Sequence, residues 1–199
     1  MTTDPYRTVR GRGEARVSVR GSEFIGHAMP ASTVEDAEAF IDAVSDEYAD
    51  ATHNVPAYRI RADPLREWES DDGEPTNSAG KPALSVLKHE ELENVVVVIT
   101  RYYGGTNLGV GGLVRAYSQA TKKAVEAAGI KEERPHEQVS ITVEYDDSGT
   151  VRGIIESTGY EFDAAYEADV SFSVRTPVSE AATLRDRIQS ATSGRAKIE

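Results

Sequence analysis

Five consecutive β-branched residues, Val95 to Ile99, run almost directly into five glycines packed within nine positions: Gly104, Gly105, Gly109, Gly111 and Gly112. A uniformly apolar run of this length reads as a strand covered on both faces, here Asn94–Tyr102. Leu113–Ala128 reads as a helix with Gly129 at its C-terminal end, and Gly104–Gly112 as the loop between them. The segment Arg101–Tyr117, RYYGGTNLGVGGLVRAY, thus sits where a buried strand turns into a helix. It is the leading candidate for a functional centre.

The flanking pattern is mixed α and β. Glu14–Arg20 and Glu23–Met29 read as a hairpin around Gly21-Ser22. Ser32 with Glu35 forms a capping box opening a helix, whose apolar stripe is Val34, Ala37, Ile41, Val44 and Tyr48. Asn54–Arg61 reads as a strand, Ser70–Gly80 as a polar loop and Lys81–Leu92 as a helix with Pro82 in its first turn. A boundary is expected at Lys131–Pro135, giving domains 1–134 and 135–199. Beyond it, strand Gln138–Tyr145, helix Gly149–Thr158, strands Tyr160–Ala165 and Ala168–Arg175, a helix capped by Ser179, and strand Arg195–Ile198 follow the β-α-β-β-α-β, ferredoxin-like order.

Composition narrows the setting. The chain has 199 residues, no cysteine and a formal net charge of -12. Disulfides and thiolate metal sites are excluded. The longest apolar run is too short to cross a bilayer and the start lacks a secretory core, so a cytoplasmic protein without membrane contact is expected. Of its 22 basic residues only six are lysine. Acid-rich and lysine-poor usage suggests a halophilic host, against the plainer alternative of an ordinary acidic protein. In molar salt the Debye length is roughly 3 Å, so net charge then says little about partners. The excess is even along the chain, with no basic arm.

Several chemistries can be set aside. The glycine cluster lacks the Gly-Lys-Ser/Thr of a P-loop, and Gly109-Val110-Gly111-Gly112 does not fit the dinucleotide fingerprint. A strand–glycine–helix junction still offers unpaired N–H groups to an anion, and equally lets a helix pack close on its strand. Arg101 beside Tyr102 and Tyr103 can clamp a phosphate or stack a base, although alternation allows only one of the tyrosines to meet a ligand. Arg115 and Tyr117 open the following helix. Asp71, Asp72 and Glu74 place three carboxylates in four positions, suited to a cation, to an acid–base pair, or to a solvated turn with Asp72-Gly73 at its apex. The histidines His27, His53, His89 and His136 show no zinc spacing, so no metal and no cofactor are expected; His53 is a general-base candidate or a structural histidine. No GxSxG elbow is present.

Ser70-Asp71-Asp72-Gly73-Glu74-Pro75, Ala79-Gly80-Lys81-Pro82, Arg101–Gly105, Leu108-Gly109 and Gly111–Val114 together resemble the signature of the IMPACT/YigZ family. Ser22, Phe24-Ile25, Ala51–His53 and Ala57-Tyr58 match as well. The chain departs from that pattern at Gly21 and Glu23, flanking Ser22. The resemblance implies an α+β protein of two domains: an N-terminal one like the second domain of ribosomal protein S5, and a ferredoxin-like C-terminal one like the last domain of elongation factor G. Eukaryotic IMPACT regulates translation and binds Gcn1 through an added RWD domain. This chain starts at the family core, so no Gcn1-type partner is expected. The family brings no settled catalysis.

The resemblance ties the glycine segment to the distant acidic loop. The expected ligand site is therefore a pair of loops: Asp71, Asp72, Gly73, Glu74 and Lys81 with His53, and Arg101, Tyr102, Tyr103, Gly104, Gly105, Gly109, Gly111, Gly112 and Arg115. The leading expectation is a non-enzymatic, translation-related protein contacting RNA, the ribosome or a phosphate-bearing ligand. The alternatives are an enzyme for a small phosphorylated or peptide-like substrate and a protein–protein adaptor. One observation separates the first two. A cleft shared by the glycine amides and the carboxylates favours the enzyme; an open surface with Arg101 and Arg115 exposed favours RNA.

Overall fold

A computed structural model describes residues 4–199 of the chain. The chain divides into two compact units, Tyr6–Glu133 and Arg134–Glu199. The first contains β1 (Tyr6–Val9), β2 (Gly13–Val19), β3 (Ser22–Pro30), α1 (Val34–Glu47), β4 (His53–Ile60), β5 (Arg66–Glu69), α2 (Gly80–His89), β6 (Val95–Tyr102), α3 (Gly109–Ala128) and β7 (Ile130–Glu133). Five of its strands form an antiparallel sheet in the order β2-β3-β6-β4-β5, while β1 pairs with β7 in a separate ribbon.

The apolar run of β6 is buried on both faces, and alternation divides it between two cores. Val95, Val97 and Ile99 join a cluster with α2 and α3, whereas Val96 and Val98 join α1, Tyr58 and Ile60 on the other side. The α3 side is a stripe of small residues, Ala116, Ala120 and Ala124 among them, and comes very close to the sheet. A Cβ on Gly26 of β3 would stand 2.5 Å from the Ala120 carbonyl oxygen, so only glycine admits the helix there.

Several expected boundaries shift. The α1 cap is Thr33 with Asp36 rather than Ser32 with Glu35, since the Thr33 hydroxyl accepts from Asp36 N and the Asp36 carboxylate from Thr33 N. The β2–β3 turn is Arg20-Gly21, both at positive φ, with Ser22 already paired to Val19. Helix α3 starts at Gly109, so Gly109, Gly111 and Gly112 belong to its first turn and not to the loop. Three short strands, β1, β5 and β7, lacked a readable alternation; β7 covers Ile130–Glu133, where a linker was expected.

The second unit contains β8 (His136–Val143), α4 (Tyr145–Thr158), β9 (Phe162–Tyr166), β10 (Val170–Pro177), α5 (Val178–Ala191) and β11 (Lys197–Ile198). Its sheet order, β11-β8-β10-β9, is the ferredoxin-like one. Ile141, Val151, Ile155, Phe172, Leu184 and Ile188 centre its own core. Helix α4 begins at Tyr145, four residues before Gly149, and Ser179 lies inside α5, whose cap position is Pro177. Among the described residues, no helix is long and apolar enough to cross a membrane.

Candidate functional site

Strand alternation assembles the site. Arg101 continues the Val95, Val97, Ile99 series, so its side chain enters the α3 side of the sheet. His53 is its register partner on β4, and Ser22 and Phe24 on β3 lie on the same face. Tyr117, four residues after Leu113 on the buried stripe of α3, faces them from above. Thr100 and Tyr102 point the other way, where Tyr102 donates to Asp50. Of the two tyrosines only Tyr103, just past β6, lines a cleft.

The acidic loop completes the arrangement. Its turn, closed by Glu74 N donating to Asp71 O at 3.0 Å, carries Asp72 and Gly73 at positive φ. Asp71 is turned inward, its carboxylate accepting from the backbone N–H of Asn77, Ala79 and Gly80 at 2.7, 3.0 and 2.9 Å. It thereby satisfies the opening of α2, which has no other side-chain cap. The Asp72 carboxylate accepts from Asn54 N at 2.6 Å. Two of the three carboxylates therefore hold the loop itself, and among the described residues no group of three or more His, Asp or Glu is placed to share a metal.

Glu74 is different. It is buried, and its Oε1 accepts from Arg101 Nη1 at 2.5 Å and from the Tyr117 hydroxyl at 2.7 Å. Burial, and then this bond to Glu74, hold the Tyr117 phenol well above its ordinary range, so it remains a donor. Oε2 is left facing His53 Nε2 across 3.9 Å. Arg101 is also sandwiched by aromatic rings, with its guanidinium carbon 5.4 Å from the ring centres of both Phe24 and Tyr103, and it donates to Ser22 Oγ.

These groups line one cleft of about 450 Å³. Its polar end is Thr52, His53, Glu74 and Arg101; its other wall is Asn107, Leu108, Gly109, Val110 and Leu113 from the start of α3. No side chain caps α3, so its first-turn amides and the positive end of a 20-residue helix open here.

The expected site residues thus separate. His53, Glu74, Arg101, Tyr103 and Gly109 come together in the cleft. Asp71, Asp72 and Gly73 shape its loop. Lys81 and Arg115 are exposed, do not line it and form no ion pair among the described residues. The Arg101 guanidinium is matched by Glu74 inside the protein and is not a surface clamp. The glycines serve mainly packing and turning: Gly104 presses on Gly21, a Cβ on Gly112 would meet Leu108, and Gly105 holds positive φ. Pro75, Asn107, Leu108, Val110, Leu113 and Tyr117 lie in the segments singled out by the sequence but, like Thr52, were not among the expected ligand contacts. Only Tyr117 carried a signal, as a polar-tipped aromatic on an otherwise small-residue stripe.

Residues 20–125 match the family described as the Impact N-terminal domain, and residues 141–195 match a domain of unknown function (DUF1949). The chain is 30% identical over 195 residues to the IMPACT family member YvyE of Bacillus subtilis, covering 98% of this chain and 90% of that protein. This chain belongs to the IMPACT family. It is likewise 32% identical over 167 residues to the IMPACT family member YigZ of Escherichia coli, covering 82% of each. A solved structure described only as that of a hypothetical protein superimposes with a TM-score of 0.72 at 26% identity, covering 99% of this chain and 97% of the other. The match to YvyE spans both units, and the cleft lies wholly within the first.

Proposed function

We propose that this IMPACT-family chain is a translation-related regulator that works by binding a compact polar ligand in the Glu74–Arg101 cleft. Membership of a family whose eukaryotic form regulates translation supports the first half. The observation that carries the second is the convergence of His53, Glu74 and Arg101 with the uncapped start of α3 in one concavity. An extended RNA backbone would be served by exposed cations, and Arg101 is 5% exposed with its charge matched. A compact peptide-like molecule fits the cleft better. A salt-rich setting accords with the net charge of -12 and the scarcity of lysine.

Glu74 and Gly109 share the cleft, the arrangement that favours an enzyme, and with His53 facing Glu74 it supports a second reading, in which the cleft turns its ligand over with His53 as the general base. The first reading is tested in a cell-free translation extract from the host. Val110→Trp fills the cleft mouth from an exposed position, and Arg115→Glu reverses an exposed charge outside it. Loss of the wild-type effect on translation is expected for Val110→Trp alone. Loss for Arg115→Glu alone would put the function on an RNA-facing surface instead.

A further inference from the structure

The cleft floor carries two hydrogen-bond acceptors that face one another. His53 Nδ1 lies 2.6 Å from the Asp72 carbonyl oxygen, which can only accept, so the ring proton is on Nδ1. In its neutral form the ring then presents a bare lone pair at Nε2. This tautomer is imposed by the loop, because Asp72 is itself fixed through Asn54 N and the Asp71–Glu74 turn. Opposite stands Glu74 Oε2, which makes no hydrogen bond among the described residues, while Oε1 is occupied by Arg101 and Tyr117.

Acceptors 3.9 Å apart ask for a donor between them. A nitrogen placed about 2.8 Å from each subtends an angle near a right angle, close to the spread of N–H bonds on an ammonium. A hydroxyl has one proton and satisfies one of the two; an ammonium satisfies both and carries charge opposite to Glu74. Arg101 already balances Glu74, so the ligand needs an acceptor of its own. The uncapped amides at Gly109 take a carbonyl or carboxylate oxygen in the same cleft. Pro75, Tyr103, Leu108, Val110 and Leu113 line it with apolar surface for a side chain.

We infer that the cleft binds the free α-amino end of an amino acid or short peptide with an apolar first residue, its ammonium held between His53 and Glu74. This rests on the cleft being the ligand site. The test is a ¹H–¹⁵N NMR titration of the wild-type chain with the peptide Leu-Gly-Gly, its N-acetylated form and free leucine. Leu-Gly-Gly is expected to shift the amides of His53, Glu74, Gly109 and Gly111, with affinity falling roughly ten-fold or more on acetylation, the loss of a charged hydrogen bond. Free leucine binding as well as the peptide marks an amino-acid site; weaker binding marks a peptide site. Equal binding of both peptides in the cleft would overturn the ammonium seat and leave the cleft reading standing. No shift with any of the three would also overturn it, and the translation experiment with Val110→Trp then decides the cleft reading separately. Glu74→Gln and His53→Leu are each expected to weaken the free peptide and leave the acetylated one unchanged; the latter avoids disturbing buried Arg101.

Discussion

Arg101 Nη1 donates to Glu74 Oε1 at 2.5 Å, with the two side chains only 6% and 4% exposed. Such a pair is costly to desolvate, and its removal from one side leaves a buried charge alone. Glu74→Ala is expected to destabilise the first unit by about 3–5 kcal/mol. Glu74→Gln keeps an acceptor for Arg101 and Tyr117 and should cost less. Tyr117→Phe deletes one bond to a charged acceptor and is expected to cost about 1.5–3 kcal/mol. Urea unfolding checks the order; Glu74→Ala at or below Tyr117→Phe would contradict a sealed ion pair.

Backbone contact between Gly104 and Gly21 sets where the glycine loop can go. A Cβ on Gly104 would stand 1.9 Å from the Gly21 carbonyl carbon, whereas one on Gly105 meets nothing, although φ there is +82°. Gly105→Ala should therefore lose about 1–2 kcal/mol from left-handed backbone alone. Gly104→Ala must push two backbones apart and is expected to lose about 3 kcal/mol. Thermal unfolding of the two variants, read against the wild type, should show that order; the reverse order would mean the loop is not pinned at Gly104.

His27 predicts a pH dependence outside the cleft. It is fully buried on β3, with Nε2 3.5 Å from Thr100 Oγ1, Nδ1 3.6 Å from Glu14 Oε2, and the Tyr48 ring against it. Burial lowers its pKa; Glu14 and Glu47 oppose this, while Arg12 and Arg16 reinforce it. With the folded value below the unfolded one of about 6.5, only the unfolded chain gains a proton as pH first falls. The stability is thus complete above about pH 6.5 and is lost as pH drops through the lowered folded value. His27→Gln should flatten the unfolding free energy across this window. Profiles of identical slope would show that His27 titrates normally in the fold.

Alternation and helical spacing made most of the fold legible, because Val95–Ile99, the α3 stripe and the β-α-β-β-α-β order depend on local periodicity. Strands β1 and β5 were hidden: β1 owes its structure to β7 at the far end of the unit, and the short, charged β5 to the preceding strand β4, neither to its own pattern. The site was half legible. Motifs joined the two loops, and alternation places Arg101 and His53 on one face. The division of labour among Asp71, Asp72 and Glu74 was not, since spacing cannot tell a carboxylate turned to backbone amides from one turned to a cleft. Nor could it show that Arg101 is neutralised by Glu74, a contact 27 residues apart.

The most direct measurement is a long-range ¹H–¹⁵N spectrum of the His53 imidazole, which reports which ring nitrogen carries the proton. The expected result is a ring proton on Nδ1 and none on Nε2, with the Nε2 signal moving when Leu-Gly-Gly is added and not when its acetylated form is. A ring protonated at Nε2 would mean that His53 already donates toward Glu74, and would contradict a cleft floor built of two unmet acceptors.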